Sequence, residues 1–128
     1  MDSKDIAHFW FKQSKEDLKT AQSLLKNKRY APCLFFLHLG IEKRLKAMVV
    51  AATDAPAPYT HDLVTLARVA NVLLSTDQED YLREVNTFNI RARYDDYKYN
   101  FYKRATAAFT RTHLHQAQAF LLWLQNPS

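Results

Sequence analysis

The chain has 128 residues, too few for a second domain but enough to bury a core without disulfides or bound metal. One glycine, four prolines and long runs of Leu, Ala, Lys, Gln and Arg exclude a many-turned β architecture and predict an all-α bundle of about five or six helices in a single domain, 1–128. A formal net charge of +5 biases the surface toward anionic partners such as nucleic acid, nucleotides or an acidic protein face.

From about Ser3 to Asn27, the residues Ile6, Trp10, Leu18, Ala21 and Leu25 recur at helical spacing, with Phe9 and Leu24 widening the stripe. Asn27-Lys28-Arg29 breaks this amphipathic helix, and Pro32 suits the first turn of a second. Leu34, Phe35, Phe36, Leu37, Leu39 and Ile41 make the second helix apolar almost all round at its start, so it is expected at the centre of the bundle. Cys33 lies in this run and is expected to be a small buried hydrophobe, as a reducing cytoplasm allows. The N-terminus lacks a secretory pattern, and His38, Glu42, Lys43, Arg44 and Lys46 interrupt the apolar stretch, so no membrane span is expected. Gly40 in mid-helix costs about 1 kcal/mol against alanine, which predicts that another backbone approaches closely there. His38, Glu42 and Lys46 share one face at four-residue spacing. That patch is either a binder of phosphate or a base, or a hydrogen-bonded core histidine beside a Glu-Lys pair.

Asp54, Pro56 and Pro58 mark a loop over 51–59. Thr60 is expected to cap a short third helix, with His61 near its start, Asp62 in its first turn and Leu63, Leu66, Ala70 and Leu73 on its buried side. Thr76 and Glu79 have the form of a capping box opening a fourth helix, with Tyr81, Leu82, Val85 and Phe88 facing inward. A short helical piece over 101–108 follows, and Thr110 or Thr112 is expected to cap a last helix carrying Leu114, Ala117, Phe120, Leu121 and Leu124. Leu122 and Trp123 widen that face enough to complete the core or to serve a dimer interface. His113 and His115 diverge on the helix, so no metal pair is expected there.

The chain is organised around the segment 86–104, NTFNIRARYDDYKYNFYKR, where apolar patterning gives way to cations and rings. Arg91, Arg93, Lys98, Lys103 and Arg104 offer cationic donors, interleaved with Tyr94, Tyr97, Tyr99, Phe101 and Tyr102, whose faces suit stacking on bases or guanidinium planes. Guanidinium forks match phosphate oxygens, so Arg91 and Arg93 point to phosphate recognition, or alternatively to ion pairs with Glu84, Asp95 or Asp96. Asp95 and Asp96 either orient an arginine or cap the next helix. A Gly-rich phosphate loop, His-Glu-x-x-His, Cys-x-x-Cys and a serine elbow are all missing from the sequence, so no cofactor or metal is called for.

CLFFLHLGIEKRLKA (33–47) resembles the second helix of HEPN domains, and YTHDL (59–63) is similar to the start of their third. FNIRARYDDYKYNFYKR (88–104) resembles the segment before their last helix, and with Asp17-Leu18 in the first the likeness covers nearly the whole chain. The resemblance implies an up-and-down helical bundle that forms a homodimer with a groove near the arginine-bearing segment. It also implies a partner, a small MNT-type nucleotidyltransferase, in toxin-antitoxin-like pairs where some relatives are ribonucleases. In those enzymes an arginine is followed, after a short spacer, by a histidine. Here the matching window from Arg91 holds Asp96, Tyr97 and Lys98, and from Arg93 it holds Lys98, Tyr99 and Asn100. Lysine stays protonated near neutral pH and cannot take a proton from a ribose hydroxyl. The expectation is therefore a non-catalytic nucleotide- or RNA-binding module using Arg91, Arg93, Tyr94, Asp95, Lys98 and Arg104, with His38, Glu42, Lys46 and His61 as a secondary polar patch. Two alternatives stand beside it: a metal-independent ribonuclease using Arg93 with His38 or His61, and a purely structural dimer.

Overall fold

A computed structural model describes residues 2–126. Its helices are α1 (Ser3–Lys26), α2 (Tyr30–Thr53), α3 (Leu63–Val69), α4 (Thr76–Asn86), α5 (Phe88–Arg91), α6 (Asn100–Arg104) and α7 (Ala107–Leu124), and no strand occurs among the described residues. The all-α expectation holds. The two long N-terminal helices form a hairpin, because α1 lies along α2 and barely touches anything else, while α7, α3 and α5 cover the remaining sides of α2. Leu34, Leu37, Ile41 and Leu45 of α2 are fully buried and form the axis of the core, to which α3, α4 and α7 add Leu66, Leu82 and Ala117. No described helix is long and apolar enough to cross a membrane.

Local chemistry explains the boundaries. Asp2 caps α1 by accepting the Asp5 N–H at 2.9 Å. α1 ends where Lys28 enters the left-handed region (φ 60°) and the Arg29 N–H returns to the Leu24 carbonyl at 2.8 Å. α2 runs on to Thr53 and stops at left-handed Asp54, so the first three residues of the expected loop are helical and the prolines lie beyond them. Gly40 has a different cause from the one expected. A Cβ there would sit 2.7 Å from Cγ and Cδ2 of Leu18, so it is a side chain of α1, not a backbone, that fills the missing volume. Ser14 donates to the Gly40 carbonyl at 2.6 Å and pins the same crossing.

Three caps fall on neighbours of the expected residues. Asp62, not Thr60, caps α3 by accepting the Val64 N–H at 3.1 Å, while Thr60 accepts the Asp62 N–H. The capping box of α4 pairs Ser75 with Gln78 instead of Thr76 with Glu79, with reciprocal bonds of 3.1 and 2.9 Å. Thr106 caps α7, leaving Thr110 buried in its first turn. Leu73 is 90% exposed, contrary to expectation, because α3 ends at Val69 and left-handed Asn71 turns the chain, which buries Val72 in its stead. In α7 the expected inward residues Leu114, Ala117, Phe120 and Leu124 are buried, Leu121 and Trp123 pack on the core, and Leu122 faces solvent.

Candidate functional site

Between α5 and α6 the chain makes an irregular excursion whose acids are taken up by backbone. Asp95 accepts the N–H groups of Asp96, Phe101 and Tyr102 at 2.8, 3.0 and 2.8 Å, and Asp96 accepts those of Lys98 and Asn100. Both thus serve as caps for the start of α6, in keeping with the capping reading. What little desolvation Asp95 feels raises its pKa, but the N–H groups of Tyr102, Phe101 and Asp96, with Arg91 nearby, outweigh it and hold the carboxyl below the usual carboxylate range. With the acids so occupied, Tyr94, Tyr97, Tyr99 and Tyr102 stand exposed around the excursion.

Arg93 is the best-positioned cation of the segment. Its Nε donates to the Asn89 carbonyl at 2.9 Å and one terminal nitrogen to Asn89 Oδ1 at 3.3 Å, while the guanidinium lies over the rings of Phe35 and Tyr94, 5.2 and 5.4 Å from their centroids. Neither Arg91 nor Arg93 forms an ion pair among the described residues, so the expected alternative of bridges to Glu84, Asp95 or Asp96 does not account for them. Arg104 is the residue that takes Glu84, at 3.0 Å, with its guanidinium over Phe109. His113 also meets Glu84 through Nε2, and its Nδ1 faces the Phe109 carbonyl at 2.9 Å, so Arg104 belongs to a brace joining α4, α6 and α7. Lys98 lies over the Tyr97 ring at 5.6 Å on the exposed loop.

The secondary patch assembles around Glu42, which is 3% exposed. Lys46 Nζ lies 3.0 Å from Glu42 Oε2 and over the Trp10 ring, and His61 Nδ1 donates to Glu42 Oε1 at 2.8 Å. His38 Nε2 lies 3.0 Å from the His61 carbonyl, which can only accept, so that nitrogen carries the proton. Nδ1 of His38 is then a buried lone pair without a hydrogen-bond partner, 3.7 Å from Glu42. Burial pulls the His38 pKa below the ordinary histidine value; Glu42 and the His61 carbonyl oppose this, and the charges of His61 and Arg93 reinforce it. His38 is therefore a neutral core residue that positions His61, whose own ring is largely exposed with Nδ1 held by a buried carboxylate. No group of His, Cys, Asp or Glu side chains among the described residues is arranged to hold a metal ion. Cys33 is buried, which pushes its thiol up to about 11 and makes it a poor nucleophile.

The structure thus places His38 within electrostatic reach of both His61 and Arg93 and places Arg104 in the Glu84 brace. Sequence reasoning missed Asn89 and Phe35, which hold Arg93. The four-residue interval from Asn89 to Arg93 was a readable signal, whereas the contact with Phe35 depends on α5 docking against α2.

A family model for the HEPN domain matches residues 7–126. Among solved structures, the crystal structure of TT1696 from Thermus thermophilus superposes with a TM-score of 0.81 at 21% identity, covering 95% of this chain and 98% of that one. A likeness at that identity concerns the fold. Comparison with proteins of curated function returned no match.

Proposed function

The chain belongs to the HEPN domain family, and on that premise we propose that it is a non-catalytic nucleotide- or RNA-binding module that works as a homodimer and as the partner of a small nucleotidyltransferase in a toxin-antitoxin-like pair. The observation that carries the reading is Arg93: a guanidinium fixed by Asn89, backed by two rings and free of any carboxylate among the described residues. An arginine so oriented has unused donors for a phosphate oxygen, and the exposed tyrosines beside it supply faces for bases. Arg91 and Lys98, exposed in the same segment, add two more cations, which favours a polyanion over a neutral ligand.

The second reading, a metal-independent ribonuclease, is favoured by one specific arrangement. Buried Glu42 orients exposed His61 through Nδ1, which leaves Nε2 outward, as a carboxylate orients a general base. Arg93 would then stabilise the phosphate.

One experiment separates the two. The tagged chain and its Arg91/Arg93 double-alanine variant are recovered from a lysate of the native host, and the co-purifying protein and RNA are identified. The binding-module reading expects a nucleotidyltransferase or RNA on the wild type and its loss from the variant. Cleavage of a single-stranded RNA by purified wild type, abolished in both Arg93→Ala and His61→Ala, would overturn it in favour of the ribonuclease.

A further inference from the structure

At the elbow where α1 turns into α2, a cavity of about 580 Å³ opens between the start of α2 and the segment around α6. Lys28, Arg29 and Lys103 line it, together with the rings of Tyr30 and Tyr102. Its volume lies within the range of small-molecule sites, roughly 300–1,000 Å³. No acidic side chain lines it, and none of the three cations is paired with a carboxylate among the described residues. Three like charges around one concavity repel each other, and an anion of matching charge removes that repulsion. No side chain caps α2, so the cavity also borders the positive end of a 24-residue helix dipole. Tyr102 is 69% exposed at its rim, with no ring-to-ring or cation contact of its own among the described residues.

We propose that this cavity is a binding site for a phosphate-bearing ligand with a planar ring, the phosphates meeting Lys28, Arg29 and Lys103 and the ring lying against Tyr30 or Tyr102. The site is separate from the Arg93 surface. Ala92 lines the cavity, whereas the next side chain, Arg93, rests on Phe35. Two or more negative charges on the ligand are expected, because a single charge leaves two of the cations uncompensated. A free nucleotide and the 5′-phosphorylated end of an RNA strand both carry this chemistry.

The test is a calorimetric titration of the full chain with ATP, with inorganic phosphate as competitor. Arg29→Glu and Lys103→Glu change exposed side chains, so each variant is expected to melt as wild type and to bind ATP about tenfold or more weakly. Tyr102→Ala is expected to weaken ATP while leaving competition by phosphate intact. Lys4→Glu, which reverses an exposed charge at the start of α1 outside both the cavity and the Arg93 surface, is expected to retain ATP binding. If wild type fails to bind ATP at millimolar concentration, or if the charge-reversal variants bind as wild type does, the site is overturned. Loss of ATP from Arg93→Ala with retention in Lys103→Glu overturns it as well and moves the ligand to the Arg93 surface. A 5′-phosphorylated oligoribonucleotide that displaces ATP where its 5′-hydroxyl counterpart does not identifies an RNA end as the source. Displacement by neither identifies a free nucleotide, and both outcomes keep the site.

Discussion

Around Glu42, opposite charges meet inside the bundle, whereas between Arg91 and Arg104 most cations face water because the acids have gone to backbone N–H groups. Lys46 and His61 are both drawn onto one buried carboxylate. In the excursion, Asp95 and Asp96 bind five backbone N–H groups between them and pair with no side-chain cation. Similar residue types therefore end in opposite states. The His61 hydrogen bond to buried Glu42 ties the lead-in of α3 to α2; backbone capping at the surface leaves Arg91, Arg93 and Lys98 without an ion-pair partner among the described residues and open to an anion. Counting charges along the sequence cannot separate these states, since what differs is the acceptor's choice of donor.

The contrast breaks most sharply at its buried end. Glu42→Ala leaves the nearly buried Lys46 ammonium without its carboxylate, and a loss of about 3–5 kcal/mol is expected in urea unfolding. A variant as stable as wild type would show that the cluster adds nothing to the fold. Gly40→Ala comes next. The new methyl meets Leu18 at 2.7 Å, and overpacking of about 1–3 kcal/mol exceeds the helix-propensity gain of about 1 kcal/mol, so the midpoint should fall. Adding Leu18→Ala to the same chain should remove the clash and recover part of the loss.

A smaller effect is confined to acid. Asp62 and Asp95 both have depressed pKa values: for Asp62, burial pushes upward but bonds from Thr65, Asn86 and the Val64 N–H prevail. A depressed carboxyl contributes stability that is present above its unfolded pKa, about 3.9, and is lost as pH falls through its folded value. Melting temperature should decline gradually below about pH 6.5, where the unfolded chain protonates His38 and the folded one resists it, and more steeply below pH 4, and that steeper part should be shallower in Asp62→Asn and in Asp95→Asn. Smallest of all, the Arg91→Ala, Lys98→Ala double variant should change unfolding free energy by no more than about 0.5 kcal/mol, while weakening any RNA binding and flattening its salt dependence. A marked loss of stability there would mean these cations are part of the scaffold after all.

The long helices were legible because α1, α2 and α7 each sustain a helical apolar period over many turns, and the Asn27-Lys28-Arg29 break fell where the chain turns. Caps were harder. Ser75 and Thr76, or Thr106 and Thr110, are nearly equal as local caps, and the choice between them depends on where α4 and α7 must start in order to bury Leu82 and Leu114. Asp62 is selected over Thr60 by a partner 24 positions away, since Asn86 donates to Asp62 while accepting the Leu63 N–H. The His38-Glu42-Lys46 face was visible at four-residue spacing, but the arrival of His61 on Glu42 required α3 to fold back over α2. The elbow cavity was illegible for the same reason, because Lys28 and Lys103 are 75 positions apart and only the docking of α6 beside the start of α2 brings them together.

The pairing of α1 almost wholly with α2 has a consequence for the order of events on the ribosome. Its contacts join segments close in sequence through a turn of three residues, so the hairpin needs little loop closure and belongs to the fast-forming class of structure. Glu84, Arg104 and His113 draw together α4, α6 and α7, and that brace cannot close until the final helix has emerged. During synthesis, the first 53 residues are expected to settle early, leaving one flank of α2 apolar and uncovered until the last turn of the chain arrives to shield it.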